Sequence, residues 1–139
     1  MHKDQAAALR VLASKAAPRR SINQHCRVIV VASGKGGVGK TNIAVNLALA
    51  WAKRGLRVGI LDADMGLANV DLILGLNPRC NLSHVMSGER TLQEVLLTGP
   101  GGLKIIAGGS GVAELADIEQ HQLDRFIDSL AELDNTLDL

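Results

Sequence analysis

Two hydrophobic patterns alternate along the chain. Val28-Ile29-Val30-Val31-Ala32, Arg57-Val58-Gly59-Ile60-Leu61 and Leu103-Lys104-Ile105-Ile106-Ala107 are short, nearly unbroken apolar runs. Their β-branched content and length predict strands covered on both faces, as in a parallel sheet. Between them, apolar residues recur at helical spacing. Thr41 to about Lys53 predicts a helix apolar on most of its surface, hence one enclosed on more than one side; Gly55 ends it, with Lys53 and Arg54 in the last turn where cations suit the helix dipole. Leu72 to Leu76 reads as a short apolar helix, and residues 81–88 and 91–97 as two more, the second opened by a Thr91–Glu94 capping box. From Ile118 to about Leu133, Leu123, Phe126, Ile127, Leu130 and Leu133 line one face with acids opposite, predicting a surface helix packed on the sheet. Residues 99–102 and 108–111 are glycine-rich loops, and Thr136 to Leu139 opens a further strand. Strands alternating with helices specify an α/β fold, a mostly parallel sheet flanked by helices.

A leader precedes this domain. Residues 4–13 are good helix formers with Leu9, Leu12 and Ala13 on one face, cut off by Pro18-Arg19-Arg20-Ser21. The chain therefore divides into residues 1–20, a helix and basic linker, and residues 27–139, the α/β part. A short helix of this kind is marginal alone and gains order by docking.

The loop between the first apolar run and the first helix carries the chemistry. Gly34-Lys35-Gly36-Gly37-Val38-Gly39-Lys40-Thr41 fits G-x-x-x-x-G-K-[ST]. Glycines let backbone N–H groups turn onto a phosphate, Lys40 reaches the β/γ-phosphates, Thr41 offers its hydroxyl to Mg²⁺, and the helix start adds its positive end. Gly34-x-Gly36-x-x-Gly39 also fits the dinucleotide fingerprint, with Asp62 near the expected offset. Lys40-Thr41 weighs toward the triphosphate, because a dinucleotide site needs neither an ammonium nor a hydroxyl there. Asp62 and Asp64 stand at the carboxyl end of the second run, the ligand-binding edge of open α/β sheets. Beside magnesium and an attacking water the pair makes sense; the alternative is a strand-end aspartate capping the next helix.

Composition narrows the field. The 139 residues are 47% hydrophobic and 21% charged, enough for one globular core. One Trp, one Phe and no Tyr provide no stacking platform for single-stranded nucleic acid. Cys26 and Cys80 stand outside any C-x-x-C pattern and the four histidines lack metal-ligand spacing, which fits reduced thiols in the cytoplasm. No apolar stretch approaches a membrane span or a signal peptide. Net charge is +1, but residues 1–27 are basic and residues 112–139 acidic. Most such runs are solvated faces.

Lys35, a second lysine inside the loop, brings in a resemblance. Lys35-Gly36-Gly37-Val38-Gly39-Lys40-Thr41 resembles the deviant Walker A motif of the MinD/ParA ATPases. That resemblance implies a MinD-like P-loop NTPase fold, ATP and Mg²⁺ as ligands, and ATP-dependent homodimerisation with Lys35 reaching the partner's nucleotide. Residues 62–71 resemble switch I, D-x-D-x-G-L-x-N-x-D, which implies that Asp64 polarises the water while Asp62 sits nearer the metal shell. Asp4-Gln5-Ala6-x-x-Leu9-Arg10 is similar to the D-Q-A-x-x-L-R motif of the FlhG (FleN/YlxH) branch, the MinD-like regulators of flagellar number, and Asn81 to Glu89 is similar to the same branch. By that resemblance the leader engages an FlhF-type GTPase through Asp4, Gln5, Ala6, Leu9 and Arg10. The resemblance covers the chain but stops before the family's switch II strand and C-terminal membrane helix, so the domain is expected to be truncated, with weak or absent hydrolysis. Two other readings stay open: a ParA-like partition ATPase on DNA, disfavoured by the leader motif, and a non-hydrolysing segment acting only through its leader.

Overall fold

A computed structural model describes residues 26–64, 69–109 and 118–139. The expected leader helix and its motif at Asp4, Gln5, Ala6, Leu9 and Arg10 lie outside these residues. Three strands form one sheet: β1 (Gly59–Leu61), β2 (Leu96–Thr98) and β3 (Lys104–Ile106), in the order β1-β3-β2. β1 runs parallel to β3 with Ile60 opposite Ile105, and β2 runs antiparallel to β3 with Leu97 opposite Ile105.

The two-residue period of a strand sends neighbours to opposite faces, and both faces are covered. Ile60, Leu97 and Ile105 pack with Val45 and Ala48 of helix α1 (Lys40–Lys53) and with Val70 of α2 (Val70–Ile73). Leu61, Leu96 and Ile106 face the other way, onto Leu82 and Met86 of α3 (Leu82–Met86), Leu92 and Val95 of α4 (Leu92–Val95) and Phe126 of α5 (Gln120–Ala131). The result is three layers, helix, sheet and helix. Leu103 and Ile105 are completely buried; each such side chain contributes roughly 1.5–3 kcal/mol through transfer from water.

Local signals explain most element ends. Thr91 Oγ1 accepts the Glu94 N–H while the Glu94 carboxylate accepts the Thr91 N–H, the expected capping box of α4. Asn81 caps α3 in the same way, with His84 accepting the Asn81 N–H. Gly55, at φ 88°, ends α1 as expected.

The structure corrects the expected pattern in four places. Residues 96–98 are a strand rather than the end of a helix: Leu96 and Leu97 each satisfy one face of the sheet and ladder with β3, an advantage that outweighs their helix propensity. The sheet is accordingly mixed. Val28 to Ala32 is not a strand. A run of apolar residues ladders only where a neighbouring backbone satisfies its polar groups, and among the described residues no backbone hydrogen bond reaches residues 28–32; Val28 is 80% exposed. Residues 136–139 form no strand either, although Asp138 N–H donates to Arg57 O, Gly59 N–H to Leu139 O, and Arg27 N–H to Asp138 O. Finally, α1 is covered on one side only, leaving Ile43 and Leu47 exposed one turn apart.

Candidate functional site

The glycine loop leads into the amino end of α1. Ser33 Oγ donates to Lys35 O at 2.7 Å, folding the entry of the loop back on itself. Gly37 and Gly39 take φ of 73° and 89°, the left-handed region that an L side chain enters only at a cost. Gly39 is the residue that starts α1, and no side chain caps that end.

Among the described residues, apart from the turn at Gly36-Gly37, no backbone N–H from Gly34 to Asn42 is tied into a hydrogen bond. A Cβ built on Gly34, Gly36, Gly37 or Gly39 would meet nothing within 4 Å. Open space beside a row of unused donors at the positive end of a 14-residue helix is an anion site in its physics. Thr41 stands on the first turn, half-buried.

β1 delivers the two aspartates to the same edge. Asp64 Oδ2 lies 3.4 Å from Lys40 Nζ, with the two side chains 17% and 23% exposed. Asp62 is buried: Oδ1 accepts the Asp64 N–H at 3.1 Å, and Oδ2 accepts the Asn69 and Val70 N–H groups at 3.0 and 3.2 Å. Burial pushes its carboxyl pKa up, opposed by those three amides, with the Asp64 charge adding to the rise.

The structure therefore brings Lys40 and Asp64 together beside Gly34, Gly36, Gly37, Val38, Gly39 and Thr41. Asp62 is placed differently from Asp64, with one oxygen on the Asp64 amide and the other on the Asn69 and Val70 amides at the start of α2. The helix-capping alternative thus describes the contacts that Asp62 makes. Lys35 is exposed and makes no ion pair among the described residues. Sequence reasoning did not single out Asn69, whose Oδ1 is buried without a hydrogen-bond partner; its place in the switch-like string was the available signal.

The donor set suits a nucleoside triphosphate with magnesium: free amides and an ammonium for phosphate, a hydroxyl and nearby carboxylates for the metal. Among the described residues no three His, Cys, Asp or Glu side chains converge on a metal site of their own. A separate open groove of about 320 Å³, lined by Val85, Met86, Arg90, Leu92, Arg125 and Phe126 among others, lies between α3, α4 and α5.

Comparison with known proteins identifies the family. Residues 24–100 match the family model described as "ParA: NUBPL iron-transfer P-loop NTPase". The chain is 48% identical over 113 residues to the antiactivator FleN of Pseudomonas aeruginosa, covering 81% of this chain and 40% of FleN. It is 46% identical to the flagellum site-determining protein YlxH of Helicobacter pylori, covering 73% of this chain and 35% of YlxH. The chain thus spans two fifths or less of the length of these relatives. The septum site-determining protein MinD of Pyrococcus horikoshii, solved with Mg-ADP, superimposes with a TM-score of 0.64 at 27% identity, over 77% of this chain and 44% of MinD. Among the described residues no helix is long and apolar enough to cross a membrane.

Proposed function

The chain belongs to the ParA family of P-loop NTPases, and from that premise we propose that it is the nucleotide-binding part of an ATP-dependent regulatory switch of the MinD/ParA class that sets flagellar number or position. The row of unused loop amides facing open space at the start of α1 carries the reading.

ATP and Mg²⁺ supply the phosphoryl chemistry when bound. The chain's residues then divide the work. Amides of Gly34 to Gly39 and the Lys40 ammonium hold the phosphates, and Thr41 directs its hydroxyl to the metal. Asp64 orients the attacking water, with Asp62 behind it toward the metal shell. Lys35, exposed and unpaired with acid among the described residues, extends to the nucleotide of a second copy in an ATP-dependent dimer. Similarity to FleN and YlxH supports the flagellar role. The leader, through Asp4, Gln5, Ala6, Leu9 and Arg10, engages an FlhF-type GTPase.

The test is equilibrium binding of ATP with Mg²⁺ to wild-type protein and to Lys40→Ala, with circular dichroism showing both folded. The reading expects binding that Lys40→Ala reduces at least tenfold. Equal binding by the two, or protection of the fold by NAD rather than ATP, would overturn it. For the leader, a peptide of residues 1–20 should stimulate GTP hydrolysis by an FlhF-type GTPase, and Arg10→Ala should remove the stimulation.

A further inference from the structure

The Lys40 ammonium is paired with a carboxylate of the same site, Asp64. We propose that Asp64 occupies the Lys40 ammonium as an internal stand-in for phosphate, and that Asp62 is the positioning residue that keeps it there; the inference rests on the reading of Lys40 as the phosphate-binding lysine.

The argument begins at the buried carboxylate of Asp62. Its backbone N–H is tied to Ile106 O of β3 at 3.1 Å, which anchors the residue to the sheet. One carboxylate oxygen then takes the N–H of Asp64 and the other takes the N–H groups of Asn69 and Val70. A single side chain thus holds Asp64 with one oxygen and the start of α2 with the other. With its amide fixed, Asp64 presents its carboxylate to Lys40 at 3.4 Å. Both side chains are largely covered, so solvent screens the pair less than an exposed one.

Arriving phosphate needs the same ammonium, so the two anions compete. Phosphate binding transfers Lys40 away from Asp64 and leaves that carboxylate to accept from a water. The carboxylate that competes with phosphate and the group that orients the water are then the same residue. Asp62 works through the backbone and touches neither phosphate nor lysine.

The decisive readout needs no nucleotide: the rate at which acetic anhydride modifies the Lys40 amine, relative to Lys53, followed by mass spectrometry on the whole chain. An amine released from its carboxylate partner at 3.4 Å is freer to meet the reagent, so loss of the contact reads as faster modification. Asp64→Asn should raise Lys40 reactivity roughly 2- to 5-fold, the range for a partly exposed ion pair. Asp71→Asn removes the same charge without this contact and should leave the rate unchanged. Asp62→Ala should raise the rate as Asp64→Asn does, but add nothing in the Asp64→Asn background, because it acts through Asp64. A merely structural role for Asp62 would add its effect in either background.

An unchanged rate in Asp64→Asn, or an equal rise in Asp71→Asn, overturns the stand-in. An Asp62→Ala effect that persists beside Asp64→Asn overturns the positioning role. If Asp62→Ala does not fold, amide exchange in the wild-type protein decides: Asp64, Asn69 and Val70 amides protected like the β3 core support the clasp, and exchange at open-loop rates overturns it. Failure of the nucleotide reading would appear separately, as wild-type protein whose ATP binding ignores Lys40.

Discussion

Asp138 illustrates how one side chain ties distant parts of the chain together. Its carboxylate accepts from Arg57 Nη2 at 2.8 Å, Arg57 Nε at 3.3 Å and the Arg57 backbone N–H at 2.8 Å. Hydrogen bonds from the guanidinium, then the backbone amide, hold its pKa below the ordinary carboxylate range. A depressed carboxyl contributes stability that is present above its unfolded pKa and lost as pH falls through the folded one. Asp62 has the opposite sign: burial raises its pKa, so its contribution is greatest in acid and fades as pH rises through the folded value. Thermal melting followed from pH 7 downward should show the wild type losing stability in the acid limb, and Asp138→Asn should flatten that limb. Gly39 makes a second prediction at this scale. A Cβ there has open space but a φ of 89°, so Gly39→Ala should cost roughly 1–2 kcal/mol through backbone strain alone, measured by urea denaturation.

At the scale of elements, short helices depend on their caps. α3 has five residues, and Asn81 accepts the Ser83 N–H at its start. Asn81→Ala should cost about 1 kcal/mol, visible as a lower denaturation midpoint with unchanged slope. Gly99→Ala should be worse, because its Cβ would come within 2.5 Å of Ile105 Cδ1 in the completely buried centre of β3; about 1–3 kcal/mol is expected from overpacking. These elements also show what the sequence could reveal. α1, the Thr91–Glu94 cap, the parallel pair of β1 and β3, and α5 all carry their own local signals, and so does the glycine loop. β2 does not: Leu96-Leu97-Thr98 becomes a strand only because β3 lies beside it. Val28 to Ala32 shows the reverse, a strand-like run that no backbone among the described residues pairs with. In the site, motif spacing located Lys40 and Asp64, whereas the division of labour between Asp62 and Asp64 depends on which carboxylate points at backbone, something spacing does not encode.

At the scale of the whole molecule, three consecutive apolar residues, Val28, Ile29 and Val30, are 80%, 54% and 47% exposed, with Ile43 and Leu47 also uncovered. Exposed apolar chain with unsatisfied backbone promotes association with other chains. Val28→Lys should therefore reduce light scattering of concentrated protein while leaving the melting temperature within about 2 °C, as expected for a surface change. The mixed sheet has a temporal consequence as well. β2 and β3 are joined by a tight turn at Gly99 to Leu103, whereas β1 reaches β3 only after the loop of residues 62–103 closes. Short loops close at smaller entropic cost, and hairpins form within about 1–10 μs. The antiparallel pair is thus positioned to assemble first and serve as the template on which β1 docks, bringing Asp62 and Asp64 to the glycine loop as a late event. Pulse-labelled amide exchange during refolding should protect Ile105 before Ile60.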